Sequence, residues 1–386
     1  MPKKANIIIG SDICPIGRNE KLFEAGDAKN IFNDLLGEFE RADFSVVNLE
    51  CPLINSETPI FKHGPVLGVS SGCIKGIKNA SIDLVDLANN HIMDHGAQGL
   101  RNTLEVCKEY AISAVGAGEN LDQARRLHIE EINGIRIAIM GVSEHEFSIA
   151  SDNSYGANPI DIIDYVRNVR NNKNDFDYLI VLLHGGNEYF PYPSPQLRET
   201  CRFLVEMGAN TVVVQHTHCA GGYERYKDAY IAYGQGNLIF DYPGRNEEWY
   251  KGFLLKLIIS DNLSSEIELI PYIQSDSRPG AHRMKKADES LFLQCLKERS
   301  EHLLDDDILQ EKWSEFCEER MNFYLSKLLG HNPVVSRLNR KGHILKYLYF
   351  KKSLAVTYNV FRTEAHRHVL ETIFDKLRAD WNYRKI

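Results

Sequence analysis

The sequence predicts a layered α/β protein with a second sheet packed on the first and an all-helical C-terminal extension. Three observations predict it. Short apolar runs alternate with amphipathic segments from residue 5 to about residue 273. Past residue 218 the pattern becomes purely β, and beyond residue 281 purely helical. Five apolar runs also end in residues that bind metals or move protons, and in open α/β sheets ligands sit at that end of the strands.

In order, the first run, Ile7-Ile8-Ile9-Gly10-Ser11, ends in Asp12. Residues 28–39 read as a helix. The run Phe44-Ser45-Val46-Val47-Asn48-Leu49 ends in Glu50, and a short helix over 72–79 precedes the strand 84–88, which ends in Asn89-Asn90-His91. Residues 96–110 form a helix with Leu100, Leu104 and Cys107 on one face, followed by a strand over 112–115. Strands 127–131 and 135–140 flank Asn133-Gly134, a strong hairpin signal. Helices over 160–169 and 195–207 lead into runs that end in His184 and in His216-Thr217-His218. Short strands follow at 223–226, 229–233, 252–259 and 267–272. Asp276-Ser277-Arg278-Pro279-Gly280 breaks the pattern, so the main domain spans 1–275 and a helical extension 281–386. Within the extension, residues 291–299, 308–329 and 344–377 carry helical periodicity.

Length and composition set limits. A chain of 386 residues suggests one main domain with an appendage. A net charge of −8 gives no footprint for nucleic acid. Eight scattered cysteines without a Cys-x-x-Cys pair argue against a zinc knuckle and for a reducing compartment. The N-terminus lacks a signal-peptide pattern and no run nears ~18 apolar residues, so a cytoplasmic protein is expected. Residues 344–377 are rich in Tyr, Phe, Lys and Arg, which would suit a membrane surface. A helical cap on the main domain is the favoured reading.

The strand-end residues form a mixed donor set. Asp12 and Glu50 offer carboxylate oxygens, Asn90 an amide oxygen, and His184, His216 and His218 imidazoles. Such a set suits Mn²⁺, Fe²⁺, Zn²⁺ or a similar ion, one or two of them. A carboxylate can bridge two ions that together clamp a hydrolytic centre. His91 is placed to protonate a leaving group, with Asp94 and Glu188 as the next candidates. Each residue alone has a blander reading: Asp12 as a helix cap, Glu50 as a turn residue, a lone histidine as a hydrogen-bonded one. The joint pattern favours a metal.

The motifs Asn48-Leu49-Glu50-Cys51-Pro52-Leu53, Ala88-Asn89-Asn90-His91-x-x-Asp94-x-Gly96-x-x-Gly99-Leu100, His184-Gly185-Gly186-x-Glu188-Tyr189, His216-Thr217-His218 and Tyr233-Gly234-Gln235-Gly236-Asn237-Leu238-Ile239-Phe240 resemble the bacterial capsule synthesis proteins of the CapA (poly-γ-glutamate biosynthesis) family. The resemblance covers roughly residues 5–272. It implies a four-layer α-β-β-α sandwich of the calcineurin-like metallophosphoesterase type. It also implies that Asp12, Glu50, Asn90, His184, His216 and His218 ligate metal, and that the protein helps make or process an anionic surface polymer, poly-γ-glutamate or a polysaccharide. Expected partners are that polymer, a phosphorylated or γ-glutamyl substrate, and capsule synthase proteins.

Departures from the family pattern are Ser11 and Gln215, where Gly is usual, and Gly185, where Trp is common. Cys14 stands at the second donor position of the phosphoesterase Asp-x-His pattern. An apolar role for Cys14 implies a poorer metal position, with partial or mononuclear occupancy. Two readings follow: a metal-dependent hydrolase of a phosphoester or amide bond, or a non-catalytic assembly component that binds polymer or synthase through a remnant metal site.

Overall fold

The computed structural model describes residues 3–62 and 64–328, with a few isolated positions beyond. The chain lays down four strands of one sheet: β1 (Lys4–Cys14), β2 (Phe44–Leu49), β3 (Leu84–Asp86) and β4 (Ser113–Val115). It then builds all six strands of another: β5 (His128–Ile132), β6 (Ile135–Ser143), β7 (Tyr178–His184), β8 (Thr211–Gln215), β9 (Tyr223–Tyr226) and β10 (Ala229–Ala232). It returns to the first sheet with β11 (Asn237–Phe240), β12 (Lys251–Ser260), β13 (Ser265–Gln274) and β14 (Ala281–Arg283). The strand orders are β14-β13-β12-β1-β2-β3-β4, with β11 beside β1, and β9-β10-β8-β7-β6-β5. The late β run therefore does not form a separate sheet: it is shared between the two.

Period-two alternation divides the strands between layers. Ile7, Ile9, Val46 and Leu84 meet Ile137, Ile139, Ile180, Leu182 and Val213 between the sheets. The alternate residues Ile8, Val47 and Val85 pack outward on one side, and Ala138, Met140, Leu179 and Val181 on the other. Helix α1 (Gly96–Glu109) contributes Leu100 and Cys107 to the first outer layer. Helices α2 (Ile162–Asn172) and α3 (Pro195–Glu206) contribute Tyr165, Val169, Cys201 and Leu204 to the second. The result is the expected four-layer α-β-β-α sandwich.

The β5–β6 hairpin turns on Asn133 and Gly134, whose φ values of 54° and 84° match the type I′ turn that Asn-Gly favours. The helix expected over 28–39 is broken into Ala28–Phe32, a 3₁₀ turn and Leu36–Arg41. At the break Asn33 takes φ 46° and its amide donates to the Ala281 carbonyl at 3.1 Å. A tertiary bond to β14 thus overrides local periodicity. Two compact units comprise Met1–Trp313 and Ser314–Ile386. The sequence places a boundary between 275 and 281, yet α4 (Lys286–Leu303) lies within the first unit and buries Phe292, Leu296 and Leu303 in its cores. A further helix, α5 (Asp306–Leu328), follows. Among the described residues no helix is long and apolar enough to cross a membrane. Residues 344–377 lie outside the described elements.

Asp86 closes β3 in an unusual setting. It is fully buried, Oδ1 accepts the Ala88 N–H at 3.0 Å, and Oδ2 has no partner. A side-chain carbon at Gly116 or Gly141 would collide with this carboxyl. Burial pushes the group well above the ordinary carboxylate range. The unfolded chain therefore releases this proton at lower pH than the folded one, and folding loses stability as pH rises from about 4. Asp86→Asn should gain on the parent protein by about 1.4 kcal/mol per pH unit across that window. Denaturant melts at pH 5 and pH 8 check this; a stability gap equal at both pH values would contradict it.

Candidate metal centre

The donors lie at or just past the carboxyl ends of β1, β2, β7 and β8 and on the turn after β3. Asp12 is aimed by a bulge: Ile9 pairs with Val46, but Asp12 pairs with Asn48, so β1 carries one extra residue there. Asp12 Oδ1 accepts from Asn48 Nδ2 at 2.7 Å, and Oδ2 accepts the His216 N–H at 3.2 Å. Burial lifts its carboxyl to about 6 against these bonds. His216 and His218 have φ values of 95° and 54°. Such left-handed backbone costs roughly 1–3 kcal/mol for each non-glycine residue and collects at functional sites. Here it turns both imidazoles of the His-x-His inward.

Glu50 is the centre of the cluster. It belongs to two donor triads, Glu50–His184–His216 and Asp12–Glu50–His218, within each of which one ligand atom per residue lies within 4.8 Å of the others. Its side chain is fully buried and neither oxygen has a hydrogen-bond partner. Burial, then the neighbouring Asp12 charge, pushes its carboxyl well above the ordinary range. A buried carboxylate facing other donors without a proton or cation between them is costly. A divalent ion resolves that cost, so these residues fit a metal. His184 Nε2 lies 3.1 Å from both His216 Nδ1 and Asn90 Oδ1. Asn90 directs its Nδ2 to Glu146 at 3.2 Å, which leaves the amide oxygen on the donor side. Burial and mutual imidazole repulsion hold His184 and His218 well below the usual histidine range. They are therefore neutral near pH 7, as ligands must be.

His91 sits beside this cluster in its own network. Its Nδ1 is 2.6 Å from Asp94 Oδ2 and 3.2 Å from Lys62 Nζ. Lys62, its side chain almost wholly buried, also pairs with Asp94 Oδ1. Asp94 is thus engaged by Lys62, His91 and the Leu67 N–H, and serves to orient the imidazole. Asn89 Nδ2 donates to Asn48 Oδ1 at 3.0 Å, and Asn89 Oδ1 accepts the His91 N–H at 3.2 Å. An amide chain therefore links the Asp12 carboxylate to the backbone of His91.

All six expected ligands converge, with His91 and Asp94 beside them. Glu188 is exposed and reaches Glu50 only through its charge. Cys14 is buried in the outer apolar layer, belongs to neither triad, and is held as a thiol by burial and by Cys51. Gln215 fills space between the sheets, donating to the Gly10 carbonyl at 2.9 Å. Sequence reading missed Lys62, because its loop over 55–68 has no periodic pattern. It also missed the orienting roles of Asn48 and of Asn237, whose Oδ1 lies 2.8 Å from His218 Nδ1.

The two-sheet sandwich gathers carboxylate, amide and imidazole donors at one strand edge, the layout of a protein with a candidate divalent-metal centre. The chain belongs to the family described as bacterial capsule synthesis protein PGA_cap, whose pattern matches residues 6–242, a span that includes every donor. It is 25% identical over 323 residues to the capsule biosynthesis protein CapA of Bacillus anthracis, covering 81% of this chain and 74% of that one. It is 30% identical over 229 residues to the PGA biosynthesis protein CapA of Bacillus subtilis strain 168, covering 58% and 60%. A probable polyglutamine synthesis accessory protein of Mycobacterium tuberculosis H37Rv is 31% identical over 172 residues, covering 41% and 45%.

Proposed function

We propose that this chain is a divalent-metal-dependent hydrolase that acts on a phosphoester or amide bond in the making or processing of an anionic surface polymer. The names of its relatives support the polymer, and Glu50, shared by two donor triads with both oxygens unpartnered, carries the metal chemistry. When bound, one or two ions such as Mn²⁺, Fe²⁺ or Zn²⁺ supply Lewis acidity and an activated water. Glu50 would be the donor shared by the two groups, with Asp12 and His218 holding metal on one side and His184, His216 and Asn90 on the other. His91, oriented by Asp94 and Lys62, gives a proton to the leaving group. Capsule synthase proteins are the proposed partners. Eight unpaired thiols, most of them buried, suit a reducing, cytoplasmic setting.

Purified protein should carry one or two divalent transition ions per chain by elemental analysis. A His216→Ala, His218→Ala double variant should lose them; undiminished metal in that variant would exclude this centre. A screen of phosphoesters and γ-glutamyl amides should then reveal turnover that chelator abolishes. The apolar placement of Cys14, which removes a donor, favours a second reading as a metal-bearing binding component. Stoichiometric metal without turnover on either substrate class is the signature of that reading.

A further inference from the structure

Arg245 is a cation beside the centre that no carboxylate among the described residues pairs with. Its guanidinium lies over the rings of Tyr242 at 4.3 Å, Trp249 at 4.9 Å and Tyr189 at 5.8 Å. Trp249 in turn lies 4.7 Å from the His218 ring, and Tyr189 6.3 Å from it. Arg245 is thus one aromatic ring away from a proposed ligand. The acids on the same stretch already hold other cations: Asp241 pairs with Arg18 at 2.8 Å, Glu247 with Lys251 at 3.0 Å and Glu248 with Arg299 at 3.0 Å. Among the described residues Arg245 makes no ion pair, and it is exposed. Stacking fixes a guanidinium by its face and leaves its N–H edge for a planar or tetrahedral oxyanion.

The surroundings demand such a group. Glu144, Glu146 and Glu188 add negative charge around the donors, and Lys62 is buried against Asp94. The loop that presents Arg245 also walls a cleft of about 840 Å³ lined by Arg18 and Lys21 and by Asp241 and Asp276, so the cleft carries both signs of charge. Lys21 is exposed there and makes no ion pair among the described residues.

We propose that Arg245, seated on Tyr242, Trp249 and Tyr189, determines specificity by binding an oxyanion of the substrate, carboxylate or phosphoryl, next to the metal centre. This assignment rests on the hydrolase reading for its orientation towards the bond cleaved, and on the charges alone for binding.

The test uses the full chain loaded with Mn²⁺. Binding of labelled short γ-linked glutamate and glycerol-phosphate oligomers is followed by fluorescence anisotropy, with a neutral dextran as control. Wild-type binding should weaken with salt. Arg245→Gln should weaken it by about tenfold or more, with metal content unchanged. Arg245→Lys should fall between, because an ammonium keeps the charge and loses the fork. The oligomer whose affinity depends on Arg245 identifies the oxyanion. Equal binding by wild type and Arg245→Gln overturns the assignment, as does failure of the wild type to bind either oligomer. Absence of metal-dependent turnover in the wild type strikes the hydrolase reading instead and leaves the binding comparison standing.

Discussion

Glu50→Gln is expected to strip the protein of its divalent metal and, at the same time, to make the metal-free protein more stable. The two effects have one cause. Glu50 is fully buried, shared by both donor triads, and hydrogen-bonded through neither oxygen. With an ion present, the carboxylate faces positive charge. In chelator it faces Asp12, whose charge repels it. An uncompensated buried polar group costs on the order of 1–3 kcal/mol, and more when charged. The neutral isostere relieves the charge and offers one weaker donor to the metal. The sign with pH follows. The folded metal-free carboxyl sits above its unfolded value, so its penalty is absent in acid and grows as pH rises past the ordinary glutamate pKa of about 4.3. Metal per chain by elemental analysis and thermal melts in chelator at pH 5 and 8 check both halves. Wild-type metal content in Glu50→Gln would refute its role as the shared donor. A lower melting temperature in chelator at pH 8 would show that Glu50 has a structural partner.

His91→Ala should keep metal and lose about 10²–10⁴-fold in turnover, the typical cost of removing a positioned acid. Asn90→Ala, one residue away, should instead lower metal affinity. The geometry separates the two neighbours. Asn90 Oδ1 points to His184 Nε2 at 3.1 Å, within the donor cluster. The His91 Nδ1 is occupied by Asp94 at 2.6 Å, which orients the ring. Single-turnover rates at saturating metal, alongside metal titrations, distinguish these outcomes. Full activity of His91→Ala on a substrate whose hydrolysis requires metal would remove the general-acid role. An emptied centre in that variant would make His91 a ligand and shift the acid to another group.

Much of the centre was legible because its chemistry is local. Each apolar run ends where a strand ends, and a buried strand delivers whatever follows it to one edge of a sheet. That alone places Asp12, Glu50, Asn90, His184, His216 and His218 together at one edge. The supporting residues were less legible because their signals are not periodic. Lys62 lies in an irregular loop and acquires meaning only when it closes on Asp94 and His91. Arg245 and Trp249 follow the last recognisable motif; Trp249 meets His218, and Arg245 meets Trp249, only through the return of the chain to the first sheet.

The sequence by itself determined the class of fold, the hairpin at Asn133-Gly134, and the donor types, since turn preference, strand burial and ligand chemistry reside in neighbouring residues. Tertiary structure alone decided how the strands divide between two sheets, because a run of short β segments does not say which edge each will pair with. It broke the helix over 28–39 through the Asn33 bond to Ala281, 248 residues away. It drew α4 into the first compact unit through Phe292, Leu296 and Leu303. It also made Glu50 the shared donor. Sharing is a matter of distances among side chains from β1, β2, β7 and β8, which no spacing along the chain encodes.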